Sequence, residues 1–160
     1  MKWPWHRDLT GRVGRLAPVD AAALASIHAE GFARPWGAAD FEQMLTDPAV
    51  VADGVRAPGR VPPAGFVLSR RVLDEAEILT IAVARRCRGR GYGRALLVSH
   101  MPRLAALGVR TLHLEVEDGN EPALALYRSL GFGQVGQRGG YYARPDGTTA
   151  GALLMARALG

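Results

Sequence analysis

Residues 85 to 94 read Arg-Arg-Cys-Arg-Gly-Arg-Gly-Tyr-Gly-Arg, and this stretch decides how the whole chain is interpreted. It follows a strand-like run, Ile78 to Val83, and precedes a helix-like run, Ala95 to Leu107. The glycines at 89, 91 and 93 allow a turn whose backbone N–H groups converge, and the following helix adds the positive end of its dipole. Five arginines in these ten residues attract anions over a longer range. The stretch therefore predicts a binding loop for a ligand with several negative charges, such as a nucleotide pyrophosphate.

The spacing within this loop separates it from two other phosphate-binding patterns. A P-loop requires a lysine followed by Ser or Thr at the helix start, and the single lysine of this chain is Lys2. A dinucleotide fingerprint requires G-x-G-x-x-G in an early βαβ unit, whereas Arg88-x-x-Gly91-x-Gly93 occurs in mid-chain. An ordinary glycine-rich turn with a solvated basic face is the simpler alternative.

The pattern Arg88-x-x-Gly91-x-Gly93 resembles the loop with which GNAT N-acetyltransferases hold the pyrophosphate of acetyl-CoA. On that resemblance, the loop residues expected to contact the cofactor are Arg88, Gly89, Arg90, Gly91, Tyr92, Gly93 and Arg94.

Composition predicts one soluble domain spanning residues 1–160, with residues 1–12 loosely ordered. The chain has 160 residues, of which 48% are hydrophobic, and the mean hydropathy is zero. No apolar run reaches membrane-spanning length, and the start from Met1 to Asp8 lacks the hydrophobic stretch of a signal peptide, so a cytoplasmic location without membrane contact is expected. Cys87 is the single cysteine and the four histidines show no ligand spacing, so no disulfide and no metal site are expected.

The basic charge alone does not indicate a nucleic-acid partner. The net charge is +5 and the isoelectric point is near 10.1, but 19 of the 20 basic residues are arginine and most are dispersed. They lack the interleaved aromatic residues of a single-strand binding surface. No direct nucleic-acid binding is expected.

Hydrophobic periodicity predicts an α/β sheet domain. The predicted helices are Ala21–Phe32 with Asp20 as its N-cap, Ala38–Thr46, Gly93–Leu107, and Asn120–Leu130 with Gly131 as its C′ cap. The predicted strands are Val50–Val55, Gly65–Leu73, Glu77–Val83, Arg110–Val116, Phe132–Gln137 and Ala152–Ala158. The third and fourth of these strands are almost continuously apolar, which predicts central strands covered on both faces.

From Glu75 to Met155 the chain resembles the RimI-type GNAT subfamily, which acetylates the N-terminal alanine of a ribosomal protein. The matching segments are Glu77 to Val83, Arg88 to Arg94, Leu114-Glu115-Val116, Asn120, Ala125-Leu126-Tyr127, Gly131-Phe132 and Arg138-Gly139-Gly140-Tyr141-Tyr142. The resemblance implies the GNAT fold, a mixed central sheet of about seven strands with splayed central strands, flanked by about four helices. It also implies acetyl-CoA as the cosubstrate.

The resemblance further implies particular cofactor contacts. The backbone of Ile81, Ala82 and Val83 is expected to pair with the acetyl-pantetheine arm and to polarise the thioester carbonyl. Asn120 is expected to contact the cofactor, although an asparagine at a helix start equally suits a plain N-cap.

The implied reaction needs two proton-transfer groups. A proton must leave an ammonium with a pKa of roughly 8, and another must reach the departing thiolate. The resemblance implies Glu115 as the general base and Tyr127 as the general acid. By residue type alone, Glu115 could be one more solvated carboxylate beside Glu117 and Asp118, and Tyr127 lies in an apolar helical stripe typical of core.

The implied acceptor is the N-terminal amine of a protein, with alanine of small-subunit ribosomal protein 18 as the expected target. Trp36, Tyr141 and Tyr142 are expected to hold the substrate backbone, and Glu75 or Glu77 to attract the cationic amine. A core position for Trp36, a strand-edge pair of tyrosines and a solvated strand end at Glu75 are the alternatives.

Two other functions remain open at this stage. A GNAT enzyme acting on a small amine or a lysine side chain would require a closed acidic pocket, where this sequence has an aromatic loop pair. A non-catalytic CoA-binding or RNA-binding module is disfavoured because Glu115 and Tyr127 are both present. In one place the chain departs from the subfamily, since Thr148-Thr149-Ala150 replaces an acidic pair after the last Asp-Gly turn.

Overall fold

The computed structural model describes residues 11–143 and 146–160, with the side chains of all of these except residues 141–143. Seven strands form one sheet in the order β1-β2-β3-β4-β5-β7-β6. The strands are β1 Arg12–Arg15, β2 Val50–Arg56, β3 Gly65–Val72, β4 Glu75–Val83, β5 Thr111–Glu117, β6 Gly133–Ala143 and β7 Thr149–Ala158. The α-helices of the described residues are α1 Ala21–Gly31, α2 Ala38–Thr46, α3 Tyr92–Ala106 and α4 Glu121–Ser129. The predicted mixed sheet of about seven strands with about four helices is confirmed.

The two central strands of the sheet separate soon after they meet. Strands β4 and β5 are parallel and pair at three positions, from Glu75 opposite Thr111 to Glu77 opposite His113. Leu79 forms a bulge in β4, because the register with β3 passes from Ser69 opposite Ile78 to Leu68 opposite Thr80. The remainder of β4 runs along β3, and the predicted splay of the central strands is confirmed.

The open edge of β4 directs main-chain groups into the gap beside β5. The N–H of Ala84 donates to the carbonyl of Ala64, the residue just before β3, over 2.7 Å. Because successive residues of a strand direct their N–H groups to opposite edges, Ile81 and Val83 direct theirs toward the gap. These directions do not follow from the sequence, because the bulge at Leu79 shifts the alternation by one residue.

The prediction that both central strands are covered on both faces is wrong. Strand β4 alternates between exposed and buried residues from Glu75 to Ile78, and Ile81 to Val83 are half-buried. Strand β5 alternates between half-buried and buried residues along its whole length. The apolar residues Ile81, Ala82 and Val83 at the end of β4 are half-buried and pack against the core, so a continuous apolar run does not require full burial on both faces.

Helices cover opposite faces of the sheet. Phe66 of β3 contacts His28 of α1 and Phe41 of α2 through their rings, with centroids 6.5 and 5.4 Å away. Ser69 of the same strand is hydrogen-bonded to His100 of α3 over 2.7 Å. Since Phe66 and Ser69 are an odd number of residues apart, they lie on opposite faces, so α1 and α2 pack against one face and α3 against the other.

A buried polar network attaches α3 to the sheet. His100 lies between Asp53 of β2 and Ser69 of β3, with both hydrogen bonds at 2.7 Å, and Arg103 pairs with the other oxygen of Asp53. A serine, a histidine and an aspartate in series also form the hydrolase triad, but here the serine and the histidine have no exposed surface. The network therefore satisfies buried polar groups and fixes the position of α3.

The structure corrects two local predictions and refines a third. Arg12 was expected to be loosely ordered but begins β1, a strand that sequence analysis missed, whereas residues 1–10 lie outside the described residues. Asp20 occupies the predicted N-cap position of α1, but its side chain makes no capping hydrogen bond to that helix. It ends a short 3₁₀ turn and its carboxylate accepts from the N–H of Ala17 over 2.8 Å. The last two strands are longer than predicted, because Gly139 and Gly140 form a bulge inside β6 and the pairing of β6 with β7 continues beyond it.

Candidate active site

The predicted anion loop connects the end of β4 to the start of α3. Gly89 and Gly91 adopt φ values of +77° and +81°, and Gly91 immediately precedes α3. A Cβ at either glycine would meet no atom within 4 Å, so glycine is required by the left-handed backbone rather than by crowding. The first N–H groups of a helix have no partner within that helix, so the loop presents donors at the positive end of the α3 dipole.

The arginines of the loop divide into anchors and candidate ligands. Arg85 donates from its backbone and side chain to Glu30 of α1, at 3.3 and 2.8 Å, which attaches the loop to that helix. Arg88 donates through Nε to the carbonyl of Val83 over 3.2 Å, so the loop contacts the end of the open strand edge. Arg86 and Arg90 are exposed. Cys87 is buried in the core, a position that suits packing rather than acyl transfer.

Helix α4 lies against the start of α3. Arg94 donates to the hydroxyl of Ser129 over 2.8 Å, and a Cβ on Gly93 would lie 3.4 Å from the side chain of Leu126. The structure therefore brings together the glycine loop, the open edge of β4 and α4. Asn120 is the N-cap of α4, because its Oδ1 accepts from the N–H of Ala123 over 3.3 Å, so the capping alternative holds whatever else this residue contacts.

Tyr127 lies on α4 and is 7% exposed. Its ring packs edge-on against Phe132 at a centroid distance of 5.8 Å. Gly131 is the predicted C′ cap, with φ of +89°, and the N–H of Phe132 donates to the carbonyl of Tyr127 over 3.0 Å. The chain reversal at the end of α4 therefore fixes the Tyr127 ring.

Glu115 lies on β5, two residues beyond the last residue that pairs with β4. Its side chain is 21% exposed and its Oε1 is 3.3 Å from Nη1 of Arg138 on β6. Arg138 belongs to a segment matched in the sequence, but its contact with Glu115 was not predicted. Nothing in the local pattern indicated it, because β7 lies between the two strands.

Glu115 shares its face of the sheet with a row of charged residues. Arg70 of β3 is opposite Glu77 of β4, which in turn is opposite His113 of β5. Directly opposed residues lie on one face, and Glu115 follows His113 by two positions, so these four residues point the same way. Since Arg70 is separated from Phe66 by four residues, this is the face on which α1 and α2 pack.

Two adjoining cavities mark this face. One, of about 390 Å³, is lined by Trp36, Asp40, Gln43, Met44, Asp47 and Arg70. The other, of about 220 Å³, is lined by Arg70, Val72, Glu75, Ala76, Glu77 and His113. Arg70 borders both and pairs with Asp47 over 2.8 Å, and Glu75 contacts Nε2 of His113 over 3.1 Å. Two contacts hold the pKa of Asp47 below its ordinary value: first the hydrogen bond from the N–H of Ala49, and second the hydrogen bond from Arg70.

Of the five candidate residues for substrate binding, three border these cavities and two have side chains outside the described set. The three that border the cavities are Trp36, Glu75 and Glu77. Trp36 is partly buried, and its backbone N–H donates to Nδ1 of His28 over 3.0 Å. Burial lowers the pKa of His28, which keeps Nδ1 an acceptor. Tyr141 and Tyr142 belong to β6, but their side chains lie outside the described set.

The described residues contain neither a metal-binding cluster nor a helix suited to cross a membrane. Within residues 11–143 and 146–160, no cluster of three or more His, Cys, Asp or Glu side chains is arranged to bind a metal ion. In the same part of the chain, no helix has both the length and the apolar character needed to cross a membrane.

The fold and the loop define the class of protein. Residues 21–132 match the model of the Acetyltransferase (GNAT) family, and the chain belongs to that family.

Several known proteins are similar to the chain in sequence or structure. A [ribosomal protein bS18]-alanine N-acetyltransferase of Haemophilus ducreyi is 40% identical over 91 residues, a match that covers 57% of this chain and 63% of the relative's length. The crystal structure of the ribosomal-protein-S18-alanine N-acetyltransferase from Escherichia coli superposes with a TM-score of 0.85 at 34% identity, covering 93% of this chain and 94% of that one. The complex of Arabidopsis thaliana NAA60 with acetyl-CoA has the same fold, with a TM-score of 0.82 at 22% identity and coverage of 92% and 98%.

Proposed function

We propose that the protein transfers the acetyl group of acetyl-CoA to the N-terminal amine of a protein, with alanine of ribosomal protein bS18 as the preferred acceptor. One observation carries the proposal. The glycine loop at the start of α3 opens onto the gap between β4 and β5, and Glu115 lies on β5 beyond the last paired residue. The 34% identity to the Escherichia coli enzyme over nearly the whole chain supports this choice of acceptor.

The described residues fit the cosubstrate. The left-handed backbone at Gly89 and Gly91, with the first turn of α3, suits a pyrophosphate, and the exposed Arg86 and Arg90 add positive charge. Acetyl-CoA supplies the acetyl group as a thioester. The open edge of β4, with the N–H groups of Ile81 and Val83, can pair with an extended pantetheine arm as an added strand does.

Each proposed catalytic step has a group on this chain. A backbone N–H of Ile81 or Val83 donates to the thioester carbonyl oxygen, where negative charge develops. Glu115 accepts the proton of the acceptor ammonium, directly or through water, and leaves the nitrogen lone pair able to attack. Tyr127 donates its hydroxyl proton to the departing sulfur. Its fixed ring on α4, a helix in contact with the start of α3, supports this role.

The acceptor face favours an extended chain over a small molecule. The two cavities form a groove bordered by Trp36 at one end and by Glu75 and His113 at the other. A groove made of two adjoining cavities suits an extended peptide backbone, whereas a small amine would need one enclosed pocket. The carboxylates of Asp40, Glu75 and Glu77 suit a cationic amino terminus.

The experiment is to measure CoA release from acetyl-CoA with two matched peptides. One begins with the free N-terminal alanine of bS18, and the other has the same sequence, a blocked N-terminus and an internal lysine. Turnover with the free terminus alone is the expected result. Turnover with both peptides would indicate a lysine or relaxed amine acetyltransferase. Turnover with neither, despite tight binding of acetyl-CoA, would reject the protein N-terminus as acceptor.

A further inference from the structure

Arg138 is the cation that pairs with Glu115. Its Nη1 lies 3.3 Å from Oε1 of Glu115, and the two side chains are 55% and 21% exposed. The strands that carry them are not neighbours, since β7 lies between β5 and β6. The register partner of Glu115 on β7 is Leu154, whereas Arg138 is opposite Ala152. The ion pair therefore extends diagonally across a strand to reach Glu115.

A bulge in β6 directly follows Arg138. The register passes from Arg138 opposite Ala152 to Tyr142 opposite Ala150, so three residues of β6 lie opposite Gly151. Gly140 in this bulge has φ of +64°, and a Cβ on Gly151 would lie 2.8 Å from the carbonyl oxygen of Arg138. Glycine is therefore required on both strands for this geometry. Bulges beside active sites commonly redirect a side chain, and this one sets the backbone from which Arg138 extends.

Arg138 brings a positive charge to Glu115 on a part of the sheet where the neighbouring side chains of β4 and β5 are mostly acidic. Glu117 follows Glu115 on the same face of β5, and Glu75 and Glu77 lie on that face of β4. His113, also on this face, contacts Glu75. The facing residue of β7 is Leu154, which is apolar. An ion pair this exposed contributes little to stability, so the energy of folding does not account for its placement.

We propose that Arg138 is a positioning residue for Glu115, an inference that rests on the function proposed above. Arg138 holds Oε1, and this orients Oε2 toward the acceptor nitrogen or the water beside it. As the N–H bond of the ammonium breaks, the proton forms an O–H bond at Oε2, and the electron pair of the broken bond stays on nitrogen. Arg138 touches neither the acceptor nor the thioester, and it acts through the carboxylate that it orients.

The test is a double-mutant cycle in the full-length protein, assayed with acetyl-CoA and the alanine peptide. Arg138→Gln is expected to lower kcat about tenfold, as a misplaced catalytic group does, with the KM for acetyl-CoA unchanged. Arg138→Lys keeps the charge and should restore part of that loss. In the Glu115→Gln background, Arg138→Gln should have no further effect, because the group on which it acts is gone. Arg12→Gln is the matched control, since Arg12 is exposed on β1 at the opposite edge of the sheet.

The outcomes separate this inference from the proposed function. Equal activity of Arg138→Gln and Arg12→Gln would overturn the positioning role while leaving the function intact. An equal loss in the wild-type and Glu115→Gln backgrounds would also overturn it, because Arg138 would then act independently of Glu115. A higher peptide KM at unchanged kcat would assign Arg138 to peptide binding instead. A wild-type protein that does not acetylate the alanine peptide would reject both the function and the inference.

Discussion

The proposed cofactor side and the proposed acceptor side of the cleft are built from different parts of the chain. On the cofactor side, the loop before α3 and the open edge of β4 present main-chain N–H groups, and their geometry depends on Gly89 and Gly91. On the acceptor side, side chains from α2, from the loops at its two ends and from strands β3, β4 and β5 form the groove, and ion pairs such as Arg70 with Asp47 hold them. A main-chain site depends on backbone conformation, and a side-chain site depends on which residues meet across strands.

The largest effect is expected on the side-chain side of this contrast, from a variant that removes the charge of Glu115. Glu115→Gln keeps the size of the residue but cannot accept a proton, so kcat with the alanine peptide should fall about 100-fold or more. Affinity for acetyl-CoA, measured by calorimetry, should stay the same. Glu42→Gln, at an exposed position of α2, is the matched control. Full activity of Glu115→Gln across the pH range would remove Glu115 as the base.

A second test applies to the main-chain side. Gly91→Val places a β-branched residue at φ of +81°, which costs about 1 to 3 kcal/mol and should weaken acetyl-CoA binding by about 5- to 150-fold. Gly14→Val is the control, because Gly14 lies on β1 with open space at its Cβ and without a positive φ. Both variants should have wild-type melting temperatures without ligand, because the free loop can relax away from the left-handed conformation that only the bound state requires. Wild-type affinity in Gly91→Val would show that the loop does not hold the cofactor by its backbone.

A third test concerns Tyr127, the side chain proposed to protonate the departing sulfur on the cofactor side. Tyr127→Phe keeps the packing against Phe132 and removes the hydroxyl. A thiol of pKa near 8.5 leaves readily, so the loss of a proton donor should lower kcat about tenfold, less than the loss of the base. Unchanged kcat, with acetyl-CoA affinity also unchanged, would return Tyr127 to a purely structural role in the core.

The smallest expected effect concerns His28, which accepts a hydrogen bond from the backbone of Trp36 and so supports the loop between α1 and α2. The effect is on the pH dependence of stability. Burial lowers the pKa of His28 from its ordinary 6.5, so in acid the unfolded chain binds a proton that the folded chain resists. The free energy of unfolding should therefore be retained above pH 6.5 and should fall as the pH drops below that value. Urea unfolding at several pH values measures this slope, and His28→Phe should reduce it. An identical slope in both proteins would assign the acid sensitivity to other groups.

The two sides also differ in how well sequence predicts them. The backbone of the loop before α3 was predictable because glycines at this spacing permit positive φ, and residues 89 and 91 have it. The pairing of Glu115 with Arg138 was not predictable, because it depends on the order of β5, β7 and β6 and on a bulge whose glycines resemble a turn. The N–H directions of Ile81 and Val83 were equally hidden, since the bulge at Leu79 reverses the alternation.

Because only three residue pairs join β4 to β5, the gap between these strands affects the solubility and thermal stability of the protein. Beyond those pairs, the edges of two interior strands face a gap, and exposed strand edges promote association between chains. A ligand that fills the gap covers these edges and binds the folded state alone, so at 100 times its Kd it adds about 2.7 kcal/mol to stability. Acetyl-CoA would then protect the protein against heat and aggregation as well as take part in the reaction, and storage with CoA should preserve preparations that precipitate without it.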